Sequence, residues 1–449
     1  MEPNVLLEAL IEEAGVSRAG LAGHVNRAGL TRGLGLRYEH TAVSRWLKGQ
    51  RPRGQVPDLI CEVLAGRLGR PVGLDDIGMG AFAASGTETG AEGAALSGFV
   101  ERATALWRSD EQHRPGLAAV PAVTGTSAVM PVWEWENPPE DVDVSRPGPV
   151  RVSETDIAML KAARDHYEQM YRKAGGVATR SRIVRFLDAE AAPLLRGGYS
   201  DALGRGLHRA TAGLVAVAGI CAYDSDAHGL AQRYFHQALR LAKSSGDRGL
   251  GGYAIALLVT QSLFLGEHRR SIAFAEAALR AAGDHITPAL AADLHAMQAK
   301  AYARLGDAAS ARACIGRAEA QAGRIHTGRE PDETGYVQPG LVDVQVAEAL
   351  LGLGDLPAAR AHADSAVRAP AHDRGRVHRL AMLSHIELLQ GEADRAAVTA
   401  AEMAARARGT ESQRLRDRLR GVRRGLAASG CAEAVRTTDL IDEALRVPL

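Results

Sequence analysis

The chain has 449 residues and a formal net charge of +1. Its length suggests two or three domains, and its charge excludes a polybasic or strongly acidic protein. Only 4% of the residues are aromatic, whereas alanine and glycine are abundant, and this composition favours closely packed helices over sheets. We therefore expect an all-α protein. The cysteines have no zinc-site spacing, so we expect reduced and mostly buried thiols at Cys61, Cys221, Cys314 and Cys431.

The N-terminal residues lead directly into an amphipathic helix pattern, which is not typical of a signal peptide. The longest apolar run, around residues 213–223, is too short to cross a bilayer. These features predict a cytoplasmic protein that does not enter a membrane. The chain also lacks the phosphate-loop, nucleophile-elbow and zinc-protease motifs, and its histidines are scattered. We therefore expect a protein that is not an enzyme and that binds no cofactor and no metal.

Residues 1–70 are predicted to form a small helical domain around one short helix, within residues 41–49. Its apolar side consists of Val43, Trp46 and Leu47, and a stripe of hydroxyl and cationic side chains covers the other side. Thr41 is a good N-cap, and Gly49 is a good residue to follow the helix C-terminus. A short helix with an apolar back and a front of hydroxyls and cations suits the major groove of DNA.

Cationic residues are concentrated around this helix. Residues 15–55 contain eight lysines and arginines but only one acidic residue, Glu39, which gives this window a charge of +7. Because the whole chain carries +1, the residues outside the window carry −6. Such a concentration of positive charge is typical of a surface that contacts the phosphate backbone of DNA.

The same N-terminal residues resemble the Xre/Cro-type helix-turn-helix domains over roughly residues 4–70. The resemblance is carried by Leu21-Ala22 and by Thr41-x-x-Ser44-Arg45-Trp46-Leu47-x-Gly49-x-Arg51-Pro52. It implies that Thr41, Ser44 and Arg45 face the bases. It also implies that Lys48, Arg51 and Arg53 face the phosphates.

The segment between the two central helices departs from that family. Residues 26–40 are longer than a tight helix-turn-helix turn, and they contain three glycines. The insertion also brings Arg37, Tyr38 and His40 next to the predicted reading helix. We include Arg37 and His40 among the residues expected to bind DNA.

Residues 71–152 are predicted to form a linker. Residues 78–98 are rich in Gly, Ala, Ser and Thr, which is typical of a flexible segment, and residues 99–108 have the pattern of a short helix. Seven prolines between residues 115 and 149 exclude long helices there. Two tryptophans in this stretch, Trp133 and Trp135, either pack against a neighbouring domain or form a partner-binding motif.

Residues 153–449 contain an internal repeat. Each copy has a small residue, a second residue four positions later and a third residue three positions after that. The first residues of successive copies are 40, 40, 48 and 37 residues apart. The five copies are Ala231-Phe235-Ala238, Ser271-Ala275-Ala278, Ala311-Ile315-Ala318, Ala359-Ala363-Ala366 and Ala396-Ala400-Met403. Four copies follow a helix-ending glycine: Gly266, Gly306, Gly354 or Gly391. The pattern resembles degenerate tetratricopeptide repeats, which implies an α-solenoid.

In the geometry of such repeats, the first helix of each pair lines a concave groove. Counting back from the small residues places in this groove Tyr253, Thr260, Asp293, Lys300, Glu348, His378 and His385. Its mixed charge suits a peptide, a protein segment or a small-molecule effector. A further helix predicted within residues 410–428 has six arginines around an apolar seam. It is either a capping helix with a solvated cationic face or a second nucleic-acid contact.

The helix-turn-helix pattern and the C-terminal repeats together are more specific than either pattern alone. Residues 36–53 and 222–239 together resemble the actinobacterial regulators that join a helix-turn-helix to tetratricopeptide repeats, including the Nsd-type negative regulators of differentiation and antibiotic production. This resemblance implies a homodimeric transcription regulator of double-stranded DNA, with repression of development or secondary metabolism as its expected role. A second interpretation is an interaction scaffold whose helix-turn-helix no longer binds DNA. The charge of residues 15–55 favours the first.

Overall fold

A computed structural model describes residues 4–446, except 33, 51, 53–54, 69–71, 75, 80–95, 113–115, 138–140, 327, 338–339 and 431. The chain forms two compact units, Met1–Ala95 and Leu96–Leu449. Apart from two isolated β-bridges, the regular secondary structure of the described residues is helical, which confirms the predicted all-α class. The glycine-rich segment 78–98 lies largely outside the described residues.

The helices of the N-terminal unit are α1 (Val5–Glu13), α2 (Arg18–Thr31), α3 (His40–Leu47) and α4 (Val56–Leu68). Ser17 caps α2, as predicted, because its hydroxyl accepts a hydrogen bond from Gly20 N–H at 3.0 Å. Asn4 caps α1 in the same way and also donates from its amide to the Ile77 carbonyl at 2.9 Å. Val72, Ile77 and Met79 are buried with the four helices, so this core extends beyond residue 70.

The second unit contains seventeen further α-helices among the described residues. They are α5 (Leu96–Glu111), α6 (Thr126–Glu136), α7 (Glu154–Ala174), α8 (Gly176–Phe186), α9 (Ala192–Leu195), α10 (Asp201–Asp224), α11 (His228–Ser245), α12 (Arg248–Phe264), α13 (His268–Ala282), α14 (Pro288–Arg304), α15 (Ala308–Ala322), α16 (Leu341–Gly352), α17 (Leu356–Arg368), α18 (Asp373–Leu389), α19 (Ala393–Ala407), α20 (Gln413–Ser429) and α21 (Ala432–Leu445). From α10 onward they pack in consecutive pairs, and the first helices of successive pairs also pack on one another from α10 to α20. This arrangement is the solenoid that the repeats predict.

The repeated small residues lie on α11, α13, α15, α17 and α19, which are the second helices of five pairs. Every residue of the five copies is buried. Because alanine and serine side chains are short, each second helix approaches its neighbours closely, which is the role that the sequence pattern predicts.

Four turns between paired helices contain the predicted glycines. Their φ angles are positive: Gly266 (+76°), Gly306 (+80°), Gly354 (+77°) and Gly391 (+79°). In the second of these turns the N–H of Asp307 donates to the Tyr302 carbonyl at 3.0 Å, which satisfies the end of α14. The turn between α10 and α11 has Asp226 at the same position, with a φ of +68°. The sequence pattern does not predict this turn, because the residue is not glycine.

Two alanine substitutions ten residues apart, Gly306→Ala and Gly316→Ala, should have opposite effects on stability. Gly306→Ala should lower the free energy of unfolding by about 1–2 kcal/mol, because its positive φ is unfavourable for any residue with a Cβ. Gly316→Ala lies on an exposed face of α15, where a Cβ meets no atom within 4 Å. It should raise the free energy of unfolding by about 0.5–1 kcal/mol. Urea unfolding measures both, and a shift of the same sign in the two variants would contradict this assignment of the turn.

Helices α5 and α6 lie in the stretch predicted to be a linker, yet they belong to the second compact unit. Trp135 is 1% exposed, and the guanidinium of Arg248 lies 5.4 Å from the centroid of its ring. A Cβ on Gly251 would approach the indole nitrogen of Trp135 to 2.1 Å, so only glycine fits beneath it. Trp133, on the other face of α6, is 57% exposed. Trp135 therefore packs against the helical repeats, whereas Trp133 does not.

The two ends of the repeat region meet. Helix α7 packs against both α10 and α18. The N–H of Glu411 donates to the Ala174 carbonyl at 2.7 Å, immediately before α20. The buried carboxylate of Asp224 joins both ends, because it accepts hydrogen bonds from Gly176 N–H at 2.8 Å and from the Ser412 hydroxyl at 2.7 Å. The repeats thus wind far enough for α20 to reach the turn after α10.

Candidate nucleic-acid interface

Helix α3 has the two faces that its sequence predicts. Its buried residues are Ala42, Val43, Trp46 and Leu47. Val43 is 0% exposed and Trp46 is 3% exposed, within the core formed by α1, α2 and α4. Burial of this face fixes the rotation of α3 about its own axis, so the opposite side chains are presented to solvent.

The end of α3 agrees with the prediction, whereas its beginning does not. Gly49 has a φ of +92°, its N–H donates to the Trp46 carbonyl, and Gln50 N–H donates to the Arg45 carbonyl, both at 3.0 Å. The helix begins at His40, and Glu39 precedes it with extended backbone and no side-chain capping bond. Thr41 is therefore a residue of the first turn and not the N-cap, which leaves its hydroxyl on the exposed surface.

The connection between α2 and α3 is shorter than predicted, because α2 continues to Thr31. The side chain of Asn26 holds this connection through two hydrogen bonds to the backbone of Tyr38. Tyr38 N–H donates to Asn26 Oδ1 at 2.8 Å, and Asn26 Nδ2 donates to the Tyr38 carbonyl at 2.9 Å. The Tyr38 ring then meets Trp46 edge-on at a centroid distance of 5.2 Å. These contacts explain the extended backbone before His40 and the early start of α3.

The predicted DNA-binding residues that the structure describes lie around the outer face of α3. The exposed ones are Arg37, His40, Thr41, Arg45 and Lys48, and Ser44 is half-buried. The Ser44 hydroxyl donates to the His40 carbonyl at 3.0 Å, so it retains acceptor capacity toward solvent. Arg51 and Arg53 lie outside the described residues. The structure therefore brings together the part of the predicted set that belongs to α3 and its two flanks.

The cations of the unit differ in whether they have an acidic partner. Arg18 lies 3.3 Å from Glu8, and Arg32 lies 2.6 Å from Glu62. Within the described part of this unit, no carboxylate pairs with Arg37, Arg45 or Lys48. Arg27 on α2 and Arg67 on α4 contact His24 instead of a carboxylate. Positive charge without an acidic partner therefore lies at α3 and also at this pair, and the cations at α3 give its outer face an attraction for anions.

The predicted groove of the repeat unit is partly covered by the chain itself. Tyr253 and Asp293 are buried, and the carboxylate of Asp293 accepts hydrogen bonds from the Tyr336 hydroxyl at 2.5 Å and from Gln345. Tyr336 belongs to the long segment between α15 and α16, and its ring also lies 5.9 Å from that of Tyr253. The prediction that Tyr253 and Asp293 line an open groove is therefore wrong, because this segment folds back over them.

The other predicted groove residues are more accessible. Lys300 forms an ion pair with Glu348 at 3.0 Å, and both side chains are about one-fifth exposed. Burial alone would raise the pKa of Glu348, but Lys300 and Arg418 hold it below its ordinary value. Thr260 and His378 are half-buried, and His385 is exposed. The Thr260 hydroxyl is already satisfied, because it donates to the Ala256 carbonyl at 3.0 Å.

The described residues offer little for metal or membrane chemistry. They contain no group of three or more His, Cys, Asp or Glu side chains that could hold a metal ion. No helix among them is both long and apolar enough to span a bilayer. Cys61, Cys221 and Cys314 are buried, as expected, and Cys431 lies outside the described part of the chain.

Comparison with known proteins gives one finding, and it concerns the N-terminal unit. A family model described as the SP15 N-terminal domain matches residues 7–80. No curated protein matches the chain. The matched range begins within α1 and extends to the end of the N-terminal core at Met79, so the chain is similar to this family over the unit that carries α3.

Proposed function

We propose that this protein is a sequence-specific DNA-binding transcription regulator, with α3 as its reading helix. The observation that carries the proposal is the outer face of α3, where Arg45 and Lys48 are exposed and have no acidic partner among the described residues. The opposite face of the same helix is anchored by Trp46 in the core. A rigidly held helix with unpaired cations supports contact with a polyanion such as DNA.

The side chains on this face support a division of roles. An α-helix fits the major groove, which is about 12 Å wide, and an arginine can contact the O6 and N7 atoms of guanine with two parallel hydrogen bonds. Thr41 and Arg45 are one turn apart, so both would face the base edges. Lys48 follows Arg45 by about one turn on the same face and would contact a phosphate. Arg37, which precedes α3, would contact a phosphate at the opposite end of the helix.

The family resemblance adds further expectations. A homodimer would present two α3 helices about one DNA turn apart and would require a palindromic site. Repression of development or secondary metabolism is the role implied for such a regulator, and contact with the chromosome would place it in the cytoplasm. The repeat unit would then serve dimerisation or the binding of an effector.

The test is equilibrium binding of the full chain to a duplex from its own promoter region, beside a shuffled duplex of equal composition, between 50 and 200 mM salt. We expect specific affinity at least about 1,000-fold above that for the shuffled duplex. We also expect log K to fall with log salt by about 0.9 for each phosphate contacted. Equal affinity for both duplexes at every salt concentration would reject the regulator and favour an interaction scaffold.

A further inference from the structure

The arginines of α20 are not arranged as either sequence-based interpretation expects. Arg414 is buried: it donates to the Tyr223 carbonyl at 3.3 Å, pairs with Asp226 and lies 3.6 Å from the centroid of the Phe264 ring. Arg418, one turn later on the same face, is half-buried, whereas Arg424 is exposed. Part of the cationic face of α20 is therefore turned toward the other first helices and not toward bulk solvent.

Four cations and three carboxylates meet on the face shared by α14, α16, α18 and α20 and at the adjoining turn after α10. Three of the cations have a carboxylate of their own. The pairs are Lys300 with Glu348 at 3.0 Å, Arg374 with Asp224 at 2.6 Å, and Arg414 with Asp226. This one-to-one pairing leaves Arg418 without a carboxylate partner among the described residues. The exposed Arg304 at the end of α14, whose charge also acts on Glu348, lacks one among these residues as well.

Arg418 has no partner of its own. Its electrostatic neighbours include Glu348, Tyr223 and Arg374. Among the described residues, none accepts a hydrogen bond from its guanidinium or forms an ion pair with it. Burial lowers the pKa of Arg418, and the neighbouring arginines lower it further. Arg418 is half-buried, and none of its nitrogens is among the fully buried atoms that lack a hydrogen-bond partner. Its guanidinium therefore remains accessible to water and to a ligand, with its donors unused by the protein.

Other nitrogen atoms on the same face also lack hydrogen-bond partners. They are Nε of Arg374, Nη1 of Arg414 and Nδ1 of His378, all of which are buried. Burial, together with Arg418 and Lys300, holds the pKa of His378 well below its ordinary value. We call the group formed by Lys300, Glu348, Arg374, His378 and Arg418 the inner cationic site. It contains more hydrogen-bond donors than acceptors.

We propose that the inner cationic site binds a small anion that carries two or more negative charges. Such an anion supplies the acceptors that Arg418 lacks, and its second charge engages Lys300 or Arg374 beside their present carboxylate partners. Arg418 is half-buried between helices, so a small ligand reaches it but a DNA duplex does not. Phosphates and polycarboxylates share this chemistry. The site is independent of α3, and either proposal can fail without the other.

The test is calorimetric titration of the full chain with inorganic pyrophosphate and, separately, with citrate, at an ionic strength held constant with NaCl. The variant is Arg418→Gln, and Arg424→Gln, exposed on the same helix, is the matched control. We expect at least one of the anions to bind the wild-type chain and the control equally, and to bind Arg418→Gln at least about tenfold more weakly. Binding of pyrophosphate but not of citrate would indicate a phosphate ligand. Binding of citrate but not of pyrophosphate would indicate a carboxylate ligand.

A second measurement separates ligand binding from a structural role. Without anion, Arg418→Gln should unfold at the same temperature as the wild-type chain or a higher one, because the variant loses a half-buried charge that forms no hydrogen bond or ion pair with the described residues. With anion, the wild-type chain should gain thermal stability and the variant should not. The proposal is overturned if neither anion binds the wild-type chain, if Arg418→Gln binds as tightly as Arg424→Gln, or if Arg418→Gln lowers the unfolding temperature without anion.

Discussion

Replacing Trp46 with alanine should strongly destabilise the N-terminal unit while the repeat unit stays folded. Trp46 is 3% exposed, and its removal deletes the largest side chain that joins α3 to the core. Substitutions of this kind cost about 3–5 kcal/mol. A domain of this size has a total stability of about 4–12 kcal/mol, at 0.05–0.15 kcal/mol per residue. The loss therefore removes between about a quarter of the stability of the unit and all of it.

Hydrogen exchange followed by mass spectrometry of the full chain is the measurement. Peptides from α2 and α3 should lose protection in Trp46→Ala, and peptides from α10 to α19 should keep it. Leu30→Ala is the matched control in the same unit, because Leu30 is 73% exposed and its truncation should change little. Full protection of α3 in Trp46→Ala would show that this indole does not hold the helix.

The second large effect is a loss of stability in acid that depends on His208. This residue is 0% exposed, and its ring lies 3.0 Å from the Ser244 hydroxyl and 3.4 Å from that of Tyr199. Burial lowers its pKa to about 4. The imidazole of the unfolded chain takes up its proton near pH 6.5, whereas the folded one does so only near pH 4. Stability is thus fully present above pH 6.5 and is lost as the pH falls toward 4, by about 3 kcal/mol.

The effect must be measured as a difference between variants, because other buried groups titrate as well. Burial also lowers the pKa of His236 to about 4, which acts in the same direction. Burial raises the pKa of Asp293, which acts in the opposite direction. In urea unfolding from pH 7 to pH 4, His208→Gln should lose about 3 kcal/mol less stability than the wild-type chain. His326→Gln, at an exposed position, should follow the wild-type chain. Equal losses in all three proteins would contradict a neutral buried His208.

The parts of the fold that were predictable depend on residues close together in sequence. The faces of α3 follow from helical periodicity, and the turn at Gly306 follows from the backbone freedom of glycine. Burial of all five repeat copies also follows from a local pattern, since small residues spaced four and three apart share one helix face.

The parts that were not predictable depend on contacts between distant residues. Asn26 sets the start of α3 through the backbone of Tyr38, and nothing in the local sequence of α3 indicates this. Tyr336 covers Asp293 from a segment 43 residues away, which removes two residues from the predicted groove. Arg414 pairs with Asp226 because the packing of the repeats brings α20 next to the turn after α10.

The central claim is that α3 reads bases through Arg45. The most direct measurement compares the wild-type chain, Arg45→Ala and Arg32→Ala on the preferred duplex and on a shuffled duplex at one salt concentration. Arg32 provides the matched control, because the same charge is removed from the same unit at a site already paired with Glu62 at 2.6 Å. We expect Arg45→Ala to reduce discrimination between the duplexes by about 5- to 150-fold, equivalent to 1–3 kcal/mol for a lost bidentate base contact. Arg32→Ala should discriminate as the wild-type chain does. If Arg45→Ala keeps full discrimination, or if both variants lose it equally, α3 does not read DNA through Arg45.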